Sequence, residues 1–279
     1  MSDAEPTQLL SKNELGRVSD FLYRRTGMLF ERKKRYYLER RISERMGATG
    51  SRDFGDYFGL VRTDGGEAQE LINSCTVNET YFYREEHQLR CLSRSMLPEL
   101  VRDRRPGDLI RIWSMPCSTG EEPYSIALWL LENWAMVDVY NIEIVGSDID
   151  TRALSAAAAG QYGTRALSKL PPEVIENYFD PEANGTREII DDLKESVKFT
   201  ACNLADDAST AAMGQFDVIF CRNLLIYFDA ESRGAAARHL HRALNPGGYL
   251  CLGHTESMNR ISDQFELRRF PDAITYRRP

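Results

Sequence analysis

Three apolar runs of this chain end on polar residues that could converge on a single ligand. IEIVGSD (142–148) closes on Asp148, VKFTACNL (197–204) carries Asn203 and Leu204 at its end, and FDVIFCRN (216–223) closes on Arg222 and Asn223. A carboxylate at a strand tip accepts paired hydrogen bonds from vicinal hydroxyls such as those of a ribose, and an asparagine offers a donor and an acceptor to an adenine edge or an amino-acid head group. A fourth run, LIRIWS (109–114), leads into MPCSTGEEP, a turn followed by a helix start whose free amides face the ligand side. Glu121 and Glu122 stand in that first turn. Two carboxylates there would repel a pyrophosphate, whereas a zwitterionic amino acid with a sulfonium centre gains from a negative neighbour; GxGxxG is also absent, which disfavours NAD or FAD. For Glu121, Glu122 and Asp150 the competing role is helix-end stabilisation, worth ~0.3–1 kcal/mol each. That role does not reach Asp148, an acid closing an apolar strand. Upstream, NETYFYR (78–84) mixes apolar and hydrogen-bonding residues; Tyr81, Phe82 and Tyr83 read as core aromatics, while Arg84 is placed to reach into the crevice.

The elements that must position these residues follow from hydrophobic spacing. Leu15, Val18, Phe21 and Leu22 predict a helix ending at Gly27, and Leu38, Ile42 and Met46 a second ending at Gly47. Phe54, Tyr57, Phe58 and Val61 predict a third, closed by Asp64-Gly65-Gly66, and Ala68, Leu71, Ile72 and Cys75 a fourth. A helix carrying Leu89, Leu92, Met96, Leu97 and Leu100 runs to the breaker Arg105-Pro106-Gly107. Beyond Asp108 short apolar runs alternate with helices, the βαβ rhythm of a doubly wound sheet. FELRRF (265–270) and AITYRR (273–278) predict an antiparallel hairpin at its edge, and 160–196 breaks the rhythm as an inserted subdomain. The expected organisation is a helical domain plus linker over 1–84 and a Rossmann-like α/β domain over 85–279.

Bulk properties narrow the chemistry. A net charge of −7 disfavours nucleic acid as a partner. No uncharged stretch is long enough to span a bilayer and the start lacks a leader pattern, so a cytoplasmic protein that does not insert into membranes is expected. The six cysteines form no CxxC and read as buried thiols. No HExxH is present; His239 and His241 read as ordinary surface residues, and no metal is expected.

In order along the chain, VNETYFYRE, RIWSMPCSTGEEPYSIA, GSDIDTRAL, FDVIFCRNLLIYFD and LNPGGYLCLGHTES resemble the CheR-type chemoreceptor glutamate methyltransferases over nearly its whole length. The resemblance implies a class I S-adenosylmethionine methyltransferase domain with a small β-subdomain behind an all-helical domain. It implies methyl transfer to glutamates on the cytoplasmic region of chemotaxis receptors, leaving S-adenosylhomocysteine. Residue by residue, it implies that Asn78, Thr80, Arg84, Glu122, Asp148, Asn203, Leu204, Arg222 and Asn223 hold the cofactor, with Glu122 at its amino-acid end and Asp148 on its ribose. Arg84 would stand beside the transferring methyl and Tyr227 close to Arg84. A glutamate carboxylate, with a pKa of roughly 4.3, is already ionised at neutral pH, so direct in-line displacement needs no general base. This agrees with the lack of His or Cys among the implied site residues.

The family also engages receptors through basic residues of its second helix. Here Lys34, Arg41 and Arg45 fall on one line beside the Leu38, Ile42, Met46 stripe, opposed by the alternative of a solvated basic face. The stretch YFDPEANGTREIIDD is similar to the shorter form of a loop that tethers some members to a receptor pentapeptide, so no tether is expected, and a monomer is. Three other readings remain open: a methyltransferase of this fold with a different acceptor, a non-catalytic adaptor that senses the cofactor, and a nicotinamide oxidoreductase. Retention of Arg84, Asn223 and Tyr227 favours an enzyme.

Overall fold

A computed structural model of the protein describes residues 10–30 and 35–279. The helical part begins with α1 (Lys12–Thr26), started by a capping box between Ser11 and Glu14 and stopped by Gly27 at φ 71°. Helix α2 (Arg35–Thr49) runs past the expected stop at Gly47. Gly47 stays helical, and the left-handed turn falls on Gly50, at φ 66°, where Ser51 N reaches back to Met46 O at 3.1 Å. The expected loop at Asp64-Gly65-Gly66 is a one-residue joint. Asp64 ends α3 (Phe54–Thr63), and its side chain caps α4 (Gly65–Cys75) by accepting from Gly66 N and Glu67 N. Leu15, Val18, Leu22, Leu38, Ile42, Tyr57 and Leu71 pack as the core of these four helices.

The next helical stretch comprises α5 (Glu86–Cys91), a π-turn at Leu92–Met96 and α6 (Leu97–Leu100). Pro98, just past the π-turn, takes a donor out of the ladder where the spacing predicted one regular helix. Strand β1 (Leu109–Ser114), α7 (Glu121–Asn133), β2 (Asn141–Asp148) and α8 (Thr151–Ala159) follow. A two-stranded antiparallel ladder then joins β3 (Gln161–Gly163) to β4 (Thr186–Glu188), with α9 (Thr164–Leu167) and α10 (Pro172–Tyr178) between them and α11 (Asp191–Ser196) after. The chain returns through β5 (Val197–Ala201), α12 (Asp207–Ala211), β6 (Phe216–Cys221), α13 (Ala230–Ala243), β7 (Leu244–Leu252), β8 (Glu266–Arg269) and β9 (Ile274–Arg277).

The main sheet has the order β5-β2-β1-β6-β7-β9-β8. Its first five strands are parallel and the β8–β9 hairpin pairs antiparallel at the edge. The chain winds outward from β1 to β2 and β5, then restarts on the other side with β6 and β7. Strand order therefore reverses between β1 and β6, the place where an open α/β sheet leaves a crevice at its carboxyl ends. One face of the sheet is covered by α5, the π-turn, α7 and the small ladder, the other by α13 with Trp113 stacked on Phe216. All six cysteines are buried and unpaired. His239 is also buried, 8% exposed, with Nδ1 2.7 Å from Leu204 O. The expectation of a surface histidine fails there because α13 turns that side inward.

Candidate active site

At the tip of β1 the chain passes through a cis Met115–Pro116 bond, Ser118 at φ 50° and Gly120 at φ 94° before α7 begins. Gly120 is required twice over: its φ is left-handed, and a Cβ would sit 2.9 Å from Ala157 Cβ and from Tyr162 Oη. The turn is tied to its neighbours by Met115 N to Phe220 O and Cys117 N to Ser147 O, both 2.8 Å. Asp148 accepts Ser118 N at 2.8 Å and Asp150 N at 2.9 Å. This acid thus fastens the β1 turn to the end of β2, a task that spacing could not show. Burial pushes its carboxyl up to about 6 despite those backbone donors.

The crevice has two lobes that share Val77, Pro116, Ser118 and Asn223. Thr80, Arg84, Glu122 and Arg222 line the first lobe, which is charged. Glu122 accepts Ser114 Oγ at 2.8 Å and lies 3.0 Å from Arg222 Nη1. Burial raises its carboxyl, opposed by the Arg222 guanidinium. Arg222, 5% exposed, also donates through Nη2 to Arg84 O at 2.8 Å, while its buried Nε has no hydrogen-bond partner. Arg84 holds Glu79 O through Nη1 at 2.8 Å and lies 5.8 Å from the Tyr81 ring centre, so the rest of its fork remains for a carboxylate.

The second lobe is mostly apolar. Met28, Leu204 and Phe228 supply its walls, and Asn78, Asp148, Asn203, Asn223 and Tyr227 its polar and aromatic contacts. Asn78 Nδ2 donates to Asp150 Oδ2 at 2.7 Å, locking the linker to the sheet. Asp150 itself is the cap of α8 and accepts Arg152 N and Ala153 N. Glu121 is turned away, its carboxylate held by Thr119 Oγ1 at 2.7 Å. Of the two first-turn acids, only Glu122 faces the crevice. Asn203 is partly engaged, donating to Arg25 O at 2.6 Å and accepting Ala205 N at 3.0 Å. Burial raises the Tyr227 phenol, with Arg84 among the groups that oppose the rise.

Asn78, Thr80, Arg84, Glu122, Asp148, Asn203, Leu204, Arg222, Asn223 and Tyr227 therefore come together around one crevice. Sequence reasoning missed the residues that hold them. Four of the five non-glycine residues with left-handed φ among the described residues, Tyr83, Glu85, Ser118 and Asn223, sit in or beside it. Such backbone persists only where neighbours enforce it. Tyr83 N is held by Ser125 Oγ at 2.9 Å. Glu85 sits between His254 Nδ1 at 3.0 Å and Arg222 Nε at 3.8 Å; burial raises its carboxyl, but Arg222 and His254 outweigh that and leave it lowered. Glu256 Oε2 accepts Asn223 N at 2.8 Å and Gly253 N at 2.9 Å, and burial raises its carboxyl against the pull of backbone donors at Asn223, Gly253, Leu225 and Ile226. An acid inside the GHTES stretch was the only available signal.

The expected docking line on α2 is altered. Lys34 lies outside the described residues. Arg41 lies 5.1 Å from the Tyr37 ring centre and 3.1 Å from Glu44. Arg45 is corrected to an internal role: its side chain is 16% exposed and its Nε donates to Glu67 Oε1 at 3.0 Å, within a carboxylate that also takes Tyr57 Oη at 3.0 Å. The helical spacing is as expected, but α4 supplies a buried acid that pulls this guanidinium inward.

Among the described residues no helix is long and apolar enough to cross a membrane, and no group of three or more His, Cys, Asp or Glu could hold a metal ion. Residues 13–76 match the family model described as the all-alpha domain of CheR methyltransferase, and residues 78–274 that described as its SAM binding domain. The chain is 47% identical over 273 residues to chemotaxis protein methyltransferase 2 of Vibrio cholerae serotype O1, covering 97% of this chain and 94% of that one. It is 35% identical over 270 residues to chemotaxis protein methyltransferase 1 of Pseudomonas aeruginosa, with 95% and 96% covered. With chemotaxis protein methyltransferase Cher2 of Pseudomonas putida it shares 32% over 263 residues, covering 92% and 94%.

Proposed function

Because the chain belongs to the CheR methyltransferase family, we propose that it esterifies specific glutamate side chains in the cytoplasmic region of chemotaxis receptors, using S-adenosylmethionine and leaving S-adenosylhomocysteine. The observation that carries this reading is the division of the crevice into a charged lobe with two carboxylates, Glu79 and Glu122, and two guanidinium groups, and an apolar lobe with an acid at its edge. That donor set fits the cofactor. Glu122 is a half-buried acid, its side chain 14% exposed, suited to an ammonium group. Asp148 keeps acceptor capacity for ribose hydroxyls beside its two backbone donors. Met28, Leu204 and Phe228 offer an apolar slot of the kind an adenine ring occupies.

When bound, the cofactor supplies an electrophilic methyl group on a sulfonium. The protein's task is positional. Arg84 receives the acceptor carboxylate in the free part of its fork, which fixes the direction of an oxygen lone pair. Arg222 holds the Arg84 carbonyl from behind, and the left-handed residues on either side of Arg84 fix that backbone. Burial keeps the Tyr227 phenol protonated at neutral pH, and Tyr227 is proposed to pack beside the same carboxylate. Orientation of this kind can supply ~7–11 kcal/mol in well-aligned reactions, and an ionised nucleophile leaves no proton to remove. On the receptor side, Lys34 and Arg41 are proposed to meet acidic positions of the receptor helix. Residue 84 is proposed as the division between the helical and catalytic parts.

Incubation with methyl-tritiated S-adenosylmethionine and receptor cytoplasmic fragments tests the reading. Label released as methanol by mild base identifies a glutamate ester. Base-stable label, or none on any fragment while S-adenosylhomocysteine still binds, would point to another acceptor or to a sensor.

A further inference from the structure

Three large apolar side chains are exposed around the mouth of the crevice: Leu29 at 41%, Val77 at 57% and Ile226 at 45%. Their proximity follows from backbone contacts. Met28 bridges Phe228 in antiparallel fashion and Leu29 N donates to Tyr227 O at 2.8 Å, so segments 28–29 and 226–228 run side by side. Met28, Tyr227 and Phe228 line the apolar lobe, whereas Leu29 and Ile226 line neither lobe. Val77 lines both. The Tyr37 hydroxyl, 3.3 Å from Thr76 O, brings α2 against the same rim, with the Arg41 guanidinium 5.1 Å from the Tyr37 ring centre. The mouth is therefore an apolar collar with the Arg41–Glu44 ion pair on one flank.

Resting on the acceptor reading above, we infer that Leu29 and Ile226, with Val77, form the seat for the acceptor helix and select glutamates flanked by apolar side chains. Exposed apolar side chains gathered at the entrance to a polar site serve contact with a partner. The helix must lower one carboxylate through the collar towards Arg84. Its neighbours on that face, three and four residues away, then lie against Leu29 and Ile226. An ionised neighbour there would lose water without gaining a partner, so apolar or small residues are favoured. Arg41, paired at 3.1 Å with the exposed Glu44, suits exchange of that partner for an acidic residue further along the helix. Continuity with the catalytic crevice and this charge order favour an amphipathic acidic helix over a second copy of the chain.

Initial rates against a receptor cytoplasmic fragment test this with Leu29→Asp, Ile226→Asp, Leu29→Met and Ile226→Val. Each aspartate variant is expected to raise KM for the fragment about tenfold, equivalent to about 1.4 kcal/mol, with kcat within about twofold and S-adenosylhomocysteine affinity unchanged. The conservative variants should stay within about twofold of the parent. Replacing an apolar neighbour of the target glutamate by aspartate should give a similar loss that does not add to Ile226→Asp. An unchanged KM in the aspartate variants overturns the inference. So does a parallel fall in cofactor-product affinity, or concentration-dependent dimers abolished by Ile226→Asp, which would assign the collar to a second copy. A parent enzyme that fails to methylate any fragment rejects the acceptor reading instead.

Discussion

Replacing Glu256 by alanine should damage the crevice without touching a residue placed in contact with ligand. Its Oε2 accepts two backbone donors, Asn223 N at 2.8 Å and Gly253 N at 2.9 Å, and Asn223 is held at φ 59°. Alanine leaves both N–H groups unpaired, at about 1–3 kcal/mol each, or about 2–6 kcal/mol together. Asparagine tolerates the left-handed region better than other non-glycine residues, but without these bonds nothing on Glu256 holds Asn223 there, so relaxation at Asn223 is the expected escape. Because Asn223 lines both lobes, such relaxation disturbs cofactor binding. Glutamine behaves differently. Its carbonyl can accept the same two donors, and its neutral amide removes the burial penalty that raises the Glu256 carboxyl. Urea unfolding should therefore give a loss of at least about 2 kcal/mol for Glu256→Ala and less than about 1 kcal/mol for Glu256→Gln. Calorimetry with S-adenosylhomocysteine should give at least tenfold weaker binding, about 1.4 kcal/mol, for alanine alone. Equal stability and equal affinity in the parent and the alanine variant would refute the clamp.

Three further outcomes are expected. Arg84→Lys should fold and bind S-adenosylhomocysteine normally but lose about a hundredfold or more in kcat, since an ammonium cannot reproduce the planar fork; single-turnover rates check this. For Asp148, raised to about 6, the unliganded fold gains stability on protonation, and that gain is lost as pH rises through about 6; a ligand donating hydroxyls prefers the ionised form, so calorimetric affinity for S-adenosylhomocysteine should hold at neutral pH and fall as pH drops below about 6. Arg45→Met should destabilise the helical part by about 3–5 kcal/mol in denaturant titrations by stranding buried Glu67, whereas Arg41→Glu, which loses the Tyr37 ring contact and sets a like charge beside Glu44, should cost only about 1 kcal/mol and raise KM for a receptor fragment.

Much of this molecule was legible in its residues because short-range rules act on neighbours in the chain. Alternating apolar runs and helical spacing gave β1 its exact bounds and α1 its stop at Gly27, and polar strand ends marked the crevice once a doubly wound order was accepted. Where a rule depends on one hydrogen bond, the outcome shifted: α2 continued through Gly47 because the left-handed residue is Gly50, and Asp64 joined two helices in place of a loop. What only the tertiary structure decided are partnerships between segments far apart in sequence. Arg45 turns inward because α4 brings Glu67 to it, His239 is buried against Leu204, and Glu122 is singled out from Glu121 by Arg222. Glu85 and Glu256 gain their roles only because folding sets them beside a strained backbone. Sequence spacing fixes which side of an element a residue occupies; the charge or hydrogen bond that meets it comes from whichever segment packs there, and that is a property of the fold.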